Sequence, residues 1–540
     1  MKGVLLSLAL VSAVVSASVA VADDADVLAI HGDVSRSLFG SGTGVVIGFV
    51  DSGIDSTHPA LAGNDSLGRA RLFSAANFVT GEPTTDDISM SPGHGTPVAS
   101  AALSSDPVHT GLAPDARYIN ARVLDSSDSF YGSGQVVMNG VGYAVSQGAN
   151  ILNLSLNFNP SSDTSGNNAL DLMLDWAAQQ GVNITVSAGN IAAHRDPSTG
   201  LVVLDENPPN PVQSPGSFYN GLTVGRTGVP PGNPIGPVGS IVNYNQVFIT
   251  SRSGPISDSG GTLDRDKPDV VAPGTSITLA NNDWESGSLF TPGLNGTSIS
   301  APLVAGMMAQ QVGYGQAHGL SISPLVIKAT MLNSAVKVLD KDGSAWKPRA
   351  SSIVAGVLQV TSPLDSDQGT GQIDGAQLFQ QYTAGQQGPG SVGTVGWDLH
   401  TVSGNAPVDY TISAPQLAGN MVDVTLDWFR HVSRTDDGNG IVDSLDTFTA
   451  SPLANLDLSV LVNGSLVAKS MSTVDNVEYL HFALPQDGIV TVEVDGVSYA
   501  DAGNPSELYG LAWNVVPEPA SILLAAIGAI AAIVVTPRRR

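Results

Sequence analysis

The sequence predicts an α/β domain, a parallel sheet with helices on both faces, followed by an all-β sandwich. Three observations predict it. From Gly44 onward, short and nearly continuous apolar runs alternate with stretches of helical periodicity, the pattern of strands buried on both faces and joined by crossover helices. Beyond about residue 395 the apolar positions recur every second residue between turn clusters, the pattern of an antiparallel sandwich. Between the two textures lies a Gly/Pro/Ser-rich linker, residues 386–394. At 540 residues and 42% hydrophobic the chain can fill more than one core, and its 60 glycines suit many tight turns.

The elements follow in order. Val45 to Val50 is apolar without interruption and ends on Asp51, a first buried strand. Arg117–Val123 reads as a second strand, Val136–Gln147 as a helix and Asn150–Leu156 as a third strand. Ala169–Gln180 reads as a helix and Val182–Ser187 as a fourth strand. Sheets of this kind place ligands at the carboxyl ends of their strands. Leu201–Gln213 and Gly228–Gly239 are rich in turn formers and read as surface insertions, and Gly369 through Leu378 as the last turn and helix of the domain. In the second region, residues 395–515, Val422–Trp428, Leu456–Val462, Tyr479–Leu484 and Ile489–Val494 alternate. Asp436, Asp437, Asn439, Asp443 and Asp446 form an acidic turn there. EF-hand spacing fails because Ile441 and Val442 stand where an acid and a glycine are needed, so a solvated loop is expected.

Charge and composition exclude whole classes. Lys+Arg total 22 against 48 Asp+Glu, a formal net charge of −26, which repels phosphate backbones and excludes nucleic acid as a partner. Cysteine is absent, so disulfides, thiolate metal sites and a cysteine nucleophile are excluded. Lys2, the apolar run Val4–Val15 and Ala20-Val21-Ala22 make the three parts of a secretory signal, residues 1–22, with cleavage expected after Ala22. At the other end Pro517-Glu518-Pro519 precedes an apolar run from Ala520 to Val535 and then Arg538-Arg539-Arg540. That run reaches ~24 Å as a helix, short of the ~30 Å hydrocarbon core. The arginines supply a positive flank. This tail, residues 516–540, resembles the PEP-CTERM sorting signal of Gram-negative bacteria. The resemblance implies transient membrane association and cutting by an exosortase-type enzyme near the Pro-Glu-Pro; a plain tail anchor is the alternative. The chain is expected to be exported and extracytoplasmic, at the cell surface or secreted.

Four segments carry chemistry: Asp51-Ser52-Gly53 after the first strand, His94-Gly95-Thr96-Pro97 opening a small-residue helix, Ser187-Ala188-Gly189-Asn190 after the fourth strand, and Gly296-Thr297-Ser298 opening a second such helix. Taken singly each has an ordinary explanation as a turn former or helix cap, with Pro302 in the first turn where its missing N–H is harmless. Together and in this order they resemble the subtilase family of serine peptidases. Gly111–Ala116, Arg122-Val123-Leu124 and Lys267–Gly274 look like further subtilase segments, and the likeness covers about residues 27–385.

The resemblance implies a catalytic triad of Asp51, His94 and Ser298. A serine hydroxyl is a poor nucleophile, so His94 must take its proton while Asp51 orients and stabilises the imidazolium. Asn190 would join the helix N-terminus at Ser298 in binding the oxyanion. By the same likeness Gly132, Ser133 and Gly134 on one side, and Ser155, Leu156 and Asn157 on the other, clamp an extended peptide by β-augmentation. The first pocket would lie between Ser155–Asn157 and Ser187, Ala188 and Gly189; the family usually has glycine where Asn157 stands.

No cofactor is required for this chemistry. The family often has aspartate where Ala60 stands, as ligand of a strong calcium site whose partner is the loop Leu103–Thr110. That loop is short here, so this site is expected to be absent, with structural calcium elsewhere left open and no ligand assigned. Residues 23–50 leave too little chain before Asp51 for a folded propeptide, so folding without one is expected. Two other functions compete with an exported serine endopeptidase acting on peptides or proteins. One is a surface adhesion protein whose sandwich binds matrix or glycan while the peptidase domain is auxiliary or inactive; the presence of all four catalytic types argues against it. The other is a serine esterase, against which the paired substrate strands argue.

Overall fold

The computed structural model describes residues 24–127, 134–156, 163–195, 202–205, 210–229, 242–257, 263–501, 503 and 505–517. The expected signal segment 1–22 and the apolar run Ala520–Val535 lie outside these residues. Among the described residues no helix is long and apolar enough to cross a membrane.

The main sheet has eight strands: β1 (Val46–Asp51), β2 (Leu72–Asn77), β3 (Arg117–Arg122), β4 (Ile151–Leu154), β5 (Asn183–Ser187), β6 (Leu222–Val229), β7 (Asn243–Val247) and β8 (Val270–Pro273). Their order is β2-β3-β1-β4-β5-β6-β8, all parallel, with β7 antiparallel on β6. The helices are α1 (Ala25–Ala29), α2 (Gly32–Phe39), α3 (Gly95–Leu103), α4 (Gly134–Ser146), α5 (Ala169–Gln179), α6 (Thr297–His318), α7 (Pro324–Asn333) and α8 (Gly375–Thr383).

The unbroken apolar reading of β1 has a physical cause: it is buried along its whole length. Ile47 and Phe49 face the core that holds α3 and α6, while Val46 and Val50 face the core that holds α4 and α5. The chain winds to β2 and β3 on one side of β1 and to β4 on the other. That reversal opens a crevice at the carboxyl ends of β1 and β4, where Asp51 and Ser155 stand. Of the helices, α6 is buried from Thr297 to Val312 apart from the half-buried Ser298, and its last turn is exposed. It approaches α3 closely because Gly306 carries no Cβ; one would come 3.4 Å from the Cα of Ala102.

The C-terminal region is a two-sheet sandwich, but its boundary differs from the expected one. The seven-stranded sheet runs Ala350–Val354, Val357–Ser362, Ser465–Ser470, Asn455–Val462, Val490–Ser498, Val408–Ile412 and Gly390–Val392. The four-stranded sheet runs Val395–Ser403, Ser506–Val516, Met421–Trp428 and Val477–Ala483. Thus the hairpin of residues 350–362, read as part of the first domain, adds two strands to the sandwich before the chain returns to α8. Its first strand is largely exposed, and Leu358–Val360 of the second pair in parallel with Ala468–Ser470. The expected linker likewise contributes a strand, Gly390–Val392, paired with Val408–Ile412.

The two units share a polar and apolar seam. Gly510 lies so close to Leu325 of α7 that a Cβ would come 2.5 Å from its carbonyl oxygen. The Tyr219 ring lies between two guanidinium groups, Arg265 at 3.7 Å and Arg430 at 4.5 Å from its centroid. Arg430 donates to Gly166 O at 2.7 Å, and Asn220 donates to Arg430 O at 2.8 Å. The hairpin Val432–Thr435 and Thr447–Ala450 extends out of the sandwich onto α5, with Phe448 in the same core as Leu172 and Met173.

Candidate active site

Asp51 is the last residue of β1 and 1% exposed. Its Oδ1 accepts from His94 Nδ1 at 2.6 Å and from Ser52 N at 2.7 Å. His94 is the N-cap of α3, with its side chain 18% exposed, so the imidazole lies between a buried carboxylate and the crevice. The pairing of Nδ1 with a carboxylate fixes the tautomer in which Nε2 is the basic nitrogen. Pro97 lies within the first turn of α3, where it breaks no helical hydrogen bond.

Ser298 is the second residue of α6 and half-buried. Its Oγ donates to Ser155 O at 3.2 Å, and Ser155 Oγ donates to Ser298 O at 2.7 Å. The second bond has a cause that corrects the sequence reading of Pro302. Pro302 stands one turn inside the helix, four residues after Ser298, so its missing N–H is felt: it leaves the Ser298 carbonyl without its helical donor. The hydroxyl of Ser155, at the end of β4, supplies the donor instead. Nucleophile and neighbouring strand are therefore tied in both directions.

Asn190 follows β5. Its Oδ1 accepts from Thr297 N at 3.1 Å, which caps α6 and turns Nδ2 toward the crevice. Gly296, at φ +152°, keeps the approach to that amide open. A Cβ there would lie 3.6 Å from both Asn190 Nδ2 and Ser298 N, the two nitrogens that converge at the mouth of the helix.

The expected substrate-binding residues divide. Ser155 and Leu156 are buried beside Ser298, and Ser187, Ala188 and Gly189 are buried at the end of the neighbouring strand β5. Gly189 donates its N–H to Thr297 Oγ1 at 3.1 Å and accepts from Arg252 N at 3.0 Å, so its N–H is committed to the start of α6. Gly134 is the first residue of α4. Gly132, Ser133 and Asn157 lie outside the described residues.

Sequence reasoning missed Asp87. This carboxylate is 4% exposed, and burial pushes it above the usual carboxylate range. Its Oδ2 accepts from His94 N at 3.0 Å and Thr96 N at 2.9 Å, and its Oδ1 accepts from Ser52 Oγ at 3.1 Å. Ser52 Oγ in turn accepts from Gly95 N at 2.8 Å. The N-cap position belongs to His94, whose ring is committed to Asp51, so the cap that α3 needs comes from a distant acid. The signal was present but weak: an Asp seven residues before the His-Gly-Thr, with no fixed register to mark it.

Metal-ligating groups are sparse. Among the described residues, Asp436, Asp437 and Asp446 bring one carboxylate oxygen each within 4.8 Å of the others. Arg434 already sits among them, donating to Asp446 at 2.6 Å, Asp436 at 2.7 Å and Ile441 O at 2.6 Å. The guanidinium supplies the positive charge that the loop requires.

The comparisons agree with this geometry. Subtilisin amylosacchariticus of Bacillus subtilis subsp. amylosacchariticus is 30% identical over 275 residues, 50% of this chain and 55% of that protein. Thermitase of Thermoactinomyces vulgaris is 28% identical over 310 residues, 56% of this chain and 85% of that protein. Subtilisin-like protease 2 of Pseudogymnoascus destructans is 28% identical over 312 residues, 58% and 60% of the two chains. The matched part of this chain thus spans about half the length of the first of these relatives. The sequence model of the subtilase family matches residues 42–377, the stretch that contains Asp51, His94, Asn190 and Ser298. The chain belongs to the subtilase family.

Proposed function

We propose that the protein is an exported serine endopeptidase that hydrolyses peptide bonds through an acyl-enzyme. The reading is supported by a buried Asp51–His94 pair, 2.6 Å apart, and by a serine at the start of a helix whose own N–H and the Asn190 amide both lie near Gly296. His94 takes the Ser298 hydroxyl proton as Oγ attacks the peptide carbonyl carbon. Asp51 holds the imidazolium that results, and Asn190 Nδ2 and Ser298 N–H donate to the oxyanion. The C–N bond breaks, the amine leaves with the proton from His94, and water repeats the sequence to release the acid. No cofactor enters these steps.

Export through residues 1–22 and processing of the tail near Pro517–Pro519 by an exosortase-type enzyme belong to the same proposal, supported by the patterning of the two ends. Both imply an extracytoplasmic protein with peptide or protein substrates. The sandwich is read as structural, since much of one face packs against the catalytic domain rather than standing free for a ligand. The test compares turnover of a peptide library with that of small esters by the secreted protein. Selective, fluorophosphonate-sensitive peptide cleavage supports the reading. Ester turnover without peptide cleavage supports a serine esterase and sinks it, and no turnover of either favours the adhesion alternative.

A further inference from the structure

Arg71 stands just before β2 and is 2% exposed, among the largest fully buried side chains of the chain. A buried guanidinium is ordinarily matched by a carboxylate. This one is not. Nη1 donates to Ala60 O at 2.9 Å and to Ser105 Oγ at 3.3 Å, and Nη2 donates to Leu103 O. The same cage is closed by Ser105, whose N–H and hydroxyl both donate to Ala60 O, at 2.9 and 3.1 Å. The nearby acids are engaged elsewhere. Asp65 is held by Arg69 at 2.6 Å, Asp115 accepts from Thr43 and Ser66, and Asp106 accepts from Val108 N and His109 N. Desolvation holds the Arg71 guanidinium below its ordinary range, yet arginine stays charged at any working pH.

The place of this cage matters. Ala60 lies in the segment that follows Asp51, and Leu103 is the last residue of the helix that begins at His94. The resemblance to the subtilase family implies that these are the two segments that flank its strong calcium site, with an aspartate where Ala60 stands. The donor set here does not fit calcium. A calcium site needs six to eight oxygens with carboxylate charge among them, whereas this cage offers carbonyls and a hydroxyl around a fixed positive charge. We propose that the Arg71 guanidinium is an internal cation that replaces calcium at this position, tying the segment after Asp51 to the C-terminus of the His94 helix without a bound ion. The cation also serves the helix itself, because Leu103 O is one of its unpaired terminal carbonyls and lies at the negative end of its dipole.

The inference rests on family membership and on geometry, not on peptidase activity, and its test reads stability and exchange. In the full-length protein, amide hydrogen exchange of residues 99–111 is expected to be the same in calcium and in EDTA. Calcium-dependent protection of that segment would overturn the proposal, whatever other sites the chain holds. Arg71→Ala is expected to lower the unfolding midpoint by several degrees in both media and to speed exchange in residues 99–111. The pair Ala60→Asp with Arg71→Ala should bind one calcium more than the wild-type protein and recover part of the midpoint when calcium is added. An unchanged midpoint for Arg71→Ala would contradict the role given to the guanidinium. Should that variant fail to accumulate, Arg71→Lys keeps the charge but loses the fork, and is expected to show faster exchange of the same segment with no response to calcium.

Discussion

Replacing Asn190 tests the cap that its side chain makes together with the oxyanion role proposed for it. Its Oδ1 caps α6 through Thr297 N at 3.1 Å, and its Nδ2 faces the space shared with Ser298 N. Asn190→Ala removes both. Loss of one oxyanion donor costs about 10²–10³ in kcat, about 2.7–4 kcal/mol of transition-state stabilisation. Loss of the cap costs about 1 kcal/mol of stability, a fall in Tm of about 2–4 °C or less for a domain this large. Asn190→Asp separates the two. The carboxylate still accepts from Thr297 N and suits the positive end of the helix, so Tm should stay near the wild-type value. It has no N–H to donate and faces the oxyanion with like charge, so kcat should fall below that of the alanine variant. The assay is steady-state turnover of one fluorogenic peptide alongside thermal unfolding of all three proteins. The expected order is alanine above aspartate in kcat and aspartate above alanine in Tm, with KM little changed. A kcat for Asn190→Ala within about threefold of wild type would refute the oxyanion assignment.

Three further outcomes follow from the same contacts. Asp87→Ala removes the one oxygen that accepts from both His94 N and Thr96 N, so kcat should drop at least tenfold and Tm by a few degrees, about 1–3 kcal/mol of unsatisfied hydrogen bonding; stopped turnover with peptide and a melting curve check it. Ser155→Ala takes the only side-chain donor from the Ser298 carbonyl that Pro302 cannot serve, and kcat should fall with KM nearly constant in the same assay. Burial pushes Asp171 up to about 6 from 3.8, so the stability it contributes is complete below pH 3.8 and is lost as pH rises through about 6. Asp171→Asn, which can still bond Ser214 and Ser217, should flatten the change in Tm between pH 4 and 7.

How legible each part was depended on whether its signal was local. The strand β1 was plain because burial on both faces leaves a nearly unbroken apolar run, β4 and β5 because β-branched and leucine residues still dominate them around the buried Asn153, Asn183 and Thr185, and the four motif segments because turns and helix starts constrain short stretches of chain. The hairpin of residues 350–362 escaped because no period-two pattern marks it, and its place beside the sandwich is set by the pairing of Leu358–Val360 with Ala468–Ser470. Pro302 was read one turn too early although the helix start was read correctly: it is the sixth residue from Thr297, and the sixth N–H is the one that would serve the Ser298 carbonyl. Asp87 and Arg71 escaped for a common reason. Each acts on backbone groups of distant segments, and no spacing rule records such a contact.

Ser298 is the proposed nucleophile, and intact-protein and peptide mass spectrometry after treatment with a fluorophosphonate reads it at the atom concerned. One covalent adduct is expected, on Ser298, formed at a rate that falls in His94→Ala and absent from a folded Ser298→Ala protein. An adduct on another serine, or labelling that survives Ser298→Ala, would contradict it.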